Sequence, residues 1–193
     1  VGGGAPVSVQ SMCTTKTDDP ASTLAQIGGL AKAGCEIIRV AVPNAAALDG
    51  FGEICAQSPL PVVADIHFDH RLAIGAARRG AAALRINPGN IGSFDRVDAV
   101  IDEAGSQGIP IRIGVNAGSL DPKVDARQDL TLPQKLVASA SSYVEHFRER
   151  GFDDIVLSAK AHSVPITLQT YRMLSRELPT VPLHVGVTEA GTL

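Results

Sequence analysis

Ala83-Leu-Arg-Ile-Asn-Pro-Gly-Asn-Ile-Gly92 decides the fold. It reads as a short buried strand carrying Arg85 and Asn87 two residues apart, and therefore on one face. Pro88 and Gly89 then stop the strand and turn the chain. A cation and an amide at the carboxyl end of a strand, followed by backbone N–H groups, suit an oxygen-rich anion. An Arg paired with a carboxylate beside an ordinary turn would be written in the same letters. Repetition weighs against that plainer reading. Gly34-Cys-Glu-Ile-Ile-Arg39, Gly80-Ala-Ala-Ala-Leu-Arg85 and Gly108-Ile-Pro-Ile-Arg112 each read as helix stop, apolar strand, Arg. The stretch 151–160 is a variant that ends in Lys160.

Outward from that stretch, the chain alternates. Apolar strands are expected over 7–12, 37–43, 61–68, 83–87, 110–116, 154–160 and 183–189. Helices are expected over 21–33, 45–57, 69–79, 93–107, 131–150 and 163–178, the second from its apolar stripe and the others opened or closed by cap, Pro or Gly signals. Strict β-α alternation with apolar strands means a parallel sheet covered by helices. No Gly-x-Gly-x-x-Gly follows the first strand, which disfavours a dinucleotide-binding domain. A (β/α)8 barrel takes about 250 residues. The expected fold class is therefore α/β, a TIM (β/α)8-type barrel that is incomplete, with seven strands present and the eighth missing. Residues 1–193 are expected to form one barrel domain, a fragment of a longer chain, with no internal linker.

Composition fits an ordinary soluble globular domain. Of 193 residues 45% are hydrophobic and 19% charged, enough material for one core. Net charge is −3, so nothing global points to nucleic acid or to a membrane surface. No apolar run approaches the ~20 residues of a membrane span, and no secretory signal is visible. Cys13, Cys35 and Cys55 are far apart and lack metal-ligand spacing. They read as reduced thiols of a cytoplasmic protein, and no metal ligand is assigned among them.

The chemistry gathers at strand ends, where barrel enzymes hold their active sites. Arg39, Arg85, Arg112 and Lys160 would bring four cations from neighbouring strands to that face. Parity adds polar partners: Asp65 with His67, Arg85 with Asn87, Arg112 with Asn116, Ser158 with Lys160, and Ser8 with Gln10. Several buried cations repel one another and are costly unpaired. Asp65 and Glu189 offset part of that charge. The remainder calls for a ligand with more than one negative charge, and a diphosphate fits both number and geometry. Asn87-Pro-Gly-Asn90 and Asn116-Ala-Gly-Ser119 mirror each other as cradle loops. His184, near the start of its strand, reads as structural. The long polar loop over 117–130 reads as functional or mobile.

These blocks carry a resemblance. Val9-Gln-Ser-Met12, Val62-Val-Ala-Asp-Ile-His-Phe68, Leu84-Arg-Ile-Asn-Pro-Gly-Asn-Ile-Gly92, Ile109-Pro-Ile-Arg-Ile-Gly-Val-Asn-Ala-Gly-Ser-Leu120 and Val187-Thr-Glu-Ala-Gly191 resemble the amino-terminal barrel of the 4-hydroxy-3-methylbut-2-en-1-yl diphosphate synthases. The resemblance spans essentially the whole chain. It implies isoprenoid precursor synthesis in the methylerythritol phosphate pathway. The implied reaction is reductive ring opening and dehydroxylation of 2-C-methyl-D-erythritol 2,4-cyclodiphosphate. It implies electrons from flavodoxin or ferredoxin through a 4Fe-4S cluster held by a carboxyl-terminal domain, and a homodimer at full length. Carried onto this sequence, Arg39, Arg85, Arg112 and Lys160 would grip the diphosphate. Asp65, His67, Asn87, Asn116 and Ser158 would position the substrate, and Glu189 would be the catalytic acid or proton donor. The Cys-Pro-x-Cys-type cluster segment of the family is absent here, so this chain alone is expected to be inactive. Two alternatives stay open: a dihydropteroate-synthase-like transferase barrel, and a non-catalytic phosphate-binding barrel.

Overall fold

The computed structural model describes Gly2, Gly4 and residues 6–186. Its strands are β1 (Gln10–Met12), β2 (Ile37–Ala41), β3 (Val62–Asp65), β4 (Ala83–Ile86), β5 (Ile111–Asn116) and β6 (Ile155–Lys160). β1, β2, β3 and β4 lie side by side in that order, and β6 neighbours β5. The pairs β1·β2, β2·β3 and β3·β4 are parallel. The main helices are α1 (Pro20–Lys32), α2 (Ala47–Gln57), α3 (His70–Ala77), α5 (Phe94–Gln107), α7 (Leu132–Glu149) and α8 (Val164–Glu177). Two one-turn helices join them, α4 (Pro88–Ile91) and α6 (Pro122–Asp125).

Local chemistry sets these boundaries. Asp19 caps α1 by accepting from the Ser22 amide at 3.1 Å, with Pro20 as first helical residue. Asp69 does the same for α3, accepting from Arg71 N at 2.9 Å. Thr131 and Gln134 form a capping box at the start of α7. The expected helix-stop glycines Gly34, Gly80, Gly108 and Gly151 all have positive φ, between 65° and 93°. Only glycine adopts that backbone without strain, so the repeat seen in the sequence is a repeated helix C-cap feeding a strand.

The chain divides into two compact units. One comprises residues 7–86 and 91–111. Here β1 to β4 carry α1, α2, α3 and α5, and Ile27, Ile38, Phe51, Ile54, Leu84 and Val100 are fully enclosed. Each such side chain contributes about 1.5–3 kcal/mol on leaving water. Arg79 pairs with Asp49 at 2.9 Å and Arg78 with Glu103 at 2.6 Å, tying α3's end to α2 and to α5. These pairs face solvent and are worth little singly. The other unit holds Asn87–Asn90 and the described residues of 1–6 and 112–193. Its core is Leu136, Ala140, Val144 and Phe147 of α7 with Leu157 of β6 and Leu174 of α8. Phe147 meets Phe152 edge-on, centroids 6.0 Å apart.

Three expectations change. The first strand is shorter than 7–12: Val7 and Val9 are exposed, and the register with β2 runs over Gln10–Met12. Pro88-Gly89 does not simply turn the chain but opens the short helix α4. Asn87 drives this: its carbonyl accepts from Asn90 N and its Oδ1 from Gly89 N. The seventh strand is reduced, among the described residues, to a parallel bridge between Leu183 and Leu157. The remainder of that strand, residues 187–189, lies outside the described residues.

Candidate functional site

In the first unit, Asp65 is the focus. It ends β3, and the parallel register sets it opposite Arg85 on β4 and Ala41 on β2. Its side chain is 2% exposed. Arg85 Nη1 lies 3.1 Å from Asp65 Oδ1, and Arg39 Nε lies 3.4 Å from Oδ2. His67 Nε2 is 3.6 Å from the same Oδ2, with the ring about half exposed. Strand parity therefore did gather these residues. Two guanidinium groups share one carboxylate, so among the described residues one positive charge is left over beside the buried Asp65.

Arg39 registers that imbalance. Burial is the largest influence on it and lowers its pKa, Asp65 pulls the other way, and Arg85 adds to the lowering. Its remaining partner is the Met12 thioether, which accepts from Nε at 3.2 Å and from Nη2 at 2.8 Å. Sulfur is a weak acceptor, so Arg39 Nη2 keeps most of its capacity for an anionic oxygen. Phe68 follows His67 and is 70% exposed.

In the second unit, Asn87 is fully buried and joins two loops. Its Nδ2 donates to Ser119 Oγ at 2.6 Å, and its Oδ1 accepts from Gly89 N at 3.1 Å. Asn116 accepts from Ser119 N through its carbonyl, and the Lys160 carbonyl accepts from Ala117 N. The mirrored Asn loops thus exist, but several of the amides expected to cradle phosphate are already used. Gly89 N, Asn90 N, Ala117 N and Ser119 N all have protein acceptors. Close loop packing is the reason: a Cβ on Gly89 would lie 2.7 Å from the Ser119 carbonyl oxygen.

Arg112, also buried, directs Nη1 at His184 Nδ1, 3.0 Å away. Ser158 is buried and donates from Oγ to the Ile113 carbonyl at 3.4 Å. Lys160, at the end of β6, is half-buried. Glu189 lies outside the described residues. Sequence reasoning missed Met12, Ser119 and Tyr171, and took His184 as structural only. Each acts through a partner distant in sequence, which periodicity cannot reveal. The mirrored Asn loops were the one available hint for Ser119.

No three-residue group of His, Cys, Asp or Glu among the described residues could hold a metal ion. Burial pushes the Cys13 thiol up to about 11 and Cys55 up to about 12, the opposite of what a metal ligand needs. The Cys35 thiol faces the Ile37 carbonyl at 3.1 Å. These residues do not fit an iron–sulfur cluster. Among the described residues, no helix is long and apolar enough to cross a membrane.

Comparison with known proteins follows from this arrangement. The family model for the GcpE TIM-barrel domain matches residues 1–193. The chain belongs to this family. Its fold is accordingly the TIM-type α/β barrel domain of that family. It is 50% identical over all 193 residues to the 4-hydroxy-3-methylbut-2-en-1-yl diphosphate synthase (flavodoxin) of Pseudomonas syringae pv. syringae, covering 52% of that protein. To the synthase of the same name from Geobacter sulfurreducens it is 49% identical, covering 54%. The chain thus spans about half the length of the curated relatives it matches. Among solved structures, a putative phosphonomutase from Burkholderia cenocepacia J2315 superposes with a TM-score of 0.61 at 15% identity, over 96% of this chain and 80% of that one. Yersinia pestis dihydropteroate synthase with a sulfonamide drug gives 0.60 at 14%, over 95% and 77%. Identities this low speak for the barrel fold alone.

Proposed function

We propose that this chain is the substrate-binding barrel of a flavodoxin-dependent 4-hydroxy-3-methylbut-2-en-1-yl diphosphate synthase. The reaction is reductive ring opening of 2-C-methyl-D-erythritol 2,4-cyclodiphosphate, with two electrons taken up and the hydroxyl lost as water. The observation that carries this reading is the pair of guanidinium groups on one buried carboxylate, Arg39 and Arg85 on Asp65, in a chain half identical to such synthases throughout its length.

In this reading Arg39 and Arg85 take phosphate oxygens through the N–H edges not engaged by Asp65. Arg112 and Lys160 supply further cations. Asp65 holds Arg39 and Arg85 in place, while His67, half exposed beside it, reaches a substrate oxygen. Asn87 acts through the loops it joins, and Asn116 and Ser158 position the substrate. Glu189 serves as the acid. A 4Fe-4S cluster on a carboxyl-terminal domain would supply the two electrons, with flavodoxin as donor and ferredoxin as the alternative; the thiols of this chain do not fit that cluster. The full-length protein works as a homodimer in the cytoplasm, where Cys13, Cys35 and Cys55 stay reduced.

The test is anaerobic turnover by the full-length protein with reduced flavodoxin and the cyclic diphosphate. Formation of 4-hydroxy-3-methylbut-2-enyl diphosphate is expected, with none from residues 1–193 alone. Turnover by residues 1–193 alone, or iron bound to them stoichiometrically, would contradict the division of labour.

A further inference from the structure

Arg112 and His184 are 72 residues apart in sequence, yet their side chains meet at 3.0 Å. Guanidinium can only donate, so His184 Nδ1 must be an acceptor. The proton of a neutral imidazole then sits on Nε2. The backbone beneath the ring is fixed from several sides. His184 N donates to the Leu157 carbonyl at 2.8 Å, and Leu157 N donates to the Pro182 carbonyl at 2.9 Å. Tyr171 Oη donates to the His184 carbonyl at 2.5 Å and itself accepts from Ala159 N at 3.1 Å. Tyr171 is well buried, and burial raises its pKa, so the hydroxyl remains a donor. β6 and α8 therefore hold His184 while its ring holds Arg112.

We propose that His184 is a positioning residue for Arg112 in the anion site, acting as a neutral imidazole of fixed tautomer. The inference rests on the diphosphate-binding function proposed above. A long Arg side chain has several staggered conformers, and ordering them costs binding energy. A neutral acceptor at Nη1 selects one conformer and leaves the guanidinium charge whole. A carboxylate there would instead compete with the ligand for that charge. Lys160 is compatible with this role, since a side chain on Gly186 would have His184 Nε2 and Lys160 Cε both at about 4 Å. A second positive charge on the imidazole would be repelled by Arg112, 3.0 Å away.

The experiment uses the full-length protein, with calorimetric titration of inorganic pyrophosphate and of the cyclic diphosphate. His184→Phe is expected to weaken both by roughly 10-fold or more, the scale of one charge-assisted hydrogen bond. His184→Asn, whose Oδ1 can replace Nδ1 as acceptor, is expected to restore affinity to within about 3-fold of wild type. A role confined to folding would lower the Tm of both variants and leave their affinities alike. In wild type, nitrogen-15 spectra of the ring should show Nδ1 unprotonated and Nε2 protonated. Unchanged affinity in His184→Phe, failure of Asn to rescue, or a protonated Nδ1 would each overturn the inference. Arg112→Gln separates it from the underlying reading. If that variant binds pyrophosphate like wild type, the anion site itself is misassigned.

Discussion

Arg85 Nη1 and Asp65 Oδ1 lie 3.1 Å apart on neighbouring parallel strands, both side chains almost closed to water. Removing the carboxylate takes from Arg85 and Arg39 the counter-charge that, among the described residues, they share. Asp65→Ala is expected to destabilise the protein by about 3–5 kcal/mol in urea denaturation, the cost of breaking a buried pair. Added pyrophosphate should recover part of this loss in a concentration-dependent way, because an anion replaces the missing charge and binds only the folded state. An unchanged midpoint would show that the pair is not what holds these strands.

The two arginines should respond differently. Arg39 is the more exposed, and burial already disfavours its charge. Arg39→Met is therefore expected to weaken pyrophosphate binding about 10-fold or more with little change in stability. Arg85→Met should lower both, since it strips the nearer partner from a buried Asp65. Paired calorimetry and denaturation on each variant check the contrast.

Glycine positions give a steric test. A Cβ on Gly89 meets the Ser119 carbonyl oxygen at 2.7 Å, and that backbone cannot yield cheaply. Gly89→Ala is expected to cost about 1–3 kcal/mol. On Gly75, inside α3, a Cβ meets Leu48 Cδ1 at 2.8 Å, the far end of a side chain that can rotate. Ala also gains about 0.5–1 kcal/mol over Gly within a helix. Gly75→Ala should therefore be nearly neutral in the same denaturation assay.

Alkaline stability follows from the thiols of Cys13, which is buried, and Cys55, which is half-buried. Cys13 and Cys55 are pushed from 9.0 to about 11 and about 12, both chiefly by burial. Folding favours their neutral forms, so the contribution is complete below pH 9.0. It is lost as pH rises through about 11 and then 12. Urea midpoints should fall across that window and stay flat with respect to these groups below it. At pH 8 the folded protein should react far more slowly with a thiol reagent than the urea-unfolded protein. Equal rates would contradict their burial.

The sequence carried most of the architecture because the signals were local. Gly34, Gly80, Gly108 and Gly151 each announced a helix end, and the φ values bear that out. Parity put Asp65 and His67 on one face, and they meet at 3.6 Å. Pro88 misled in one respect, because proline that stops a strand is equally suited to the first position of a helix. What escaped was non-local. Met12 with Arg39, Asn87 with Ser119, and Arg112 with His184 are joined across 27, 32 and 72 residues. No window of sequence contains both members of such a pair. The amides of the two Asn loops escaped for the same reason, since their acceptors are set by how tightly the loops pack.

Calorimetric titration of 2-C-methyl-D-erythritol 2,4-cyclodiphosphate into the full-length protein, beside the Arg39→Met and Arg85→Met variants, tests the anion site most directly. Saturable binding by wild type is expected, weakened about 10-fold or more by either substitution. Wild-type affinity in both variants, or no binding by wild type, would contradict a diphosphate site built on Arg39, Asp65 and Arg85.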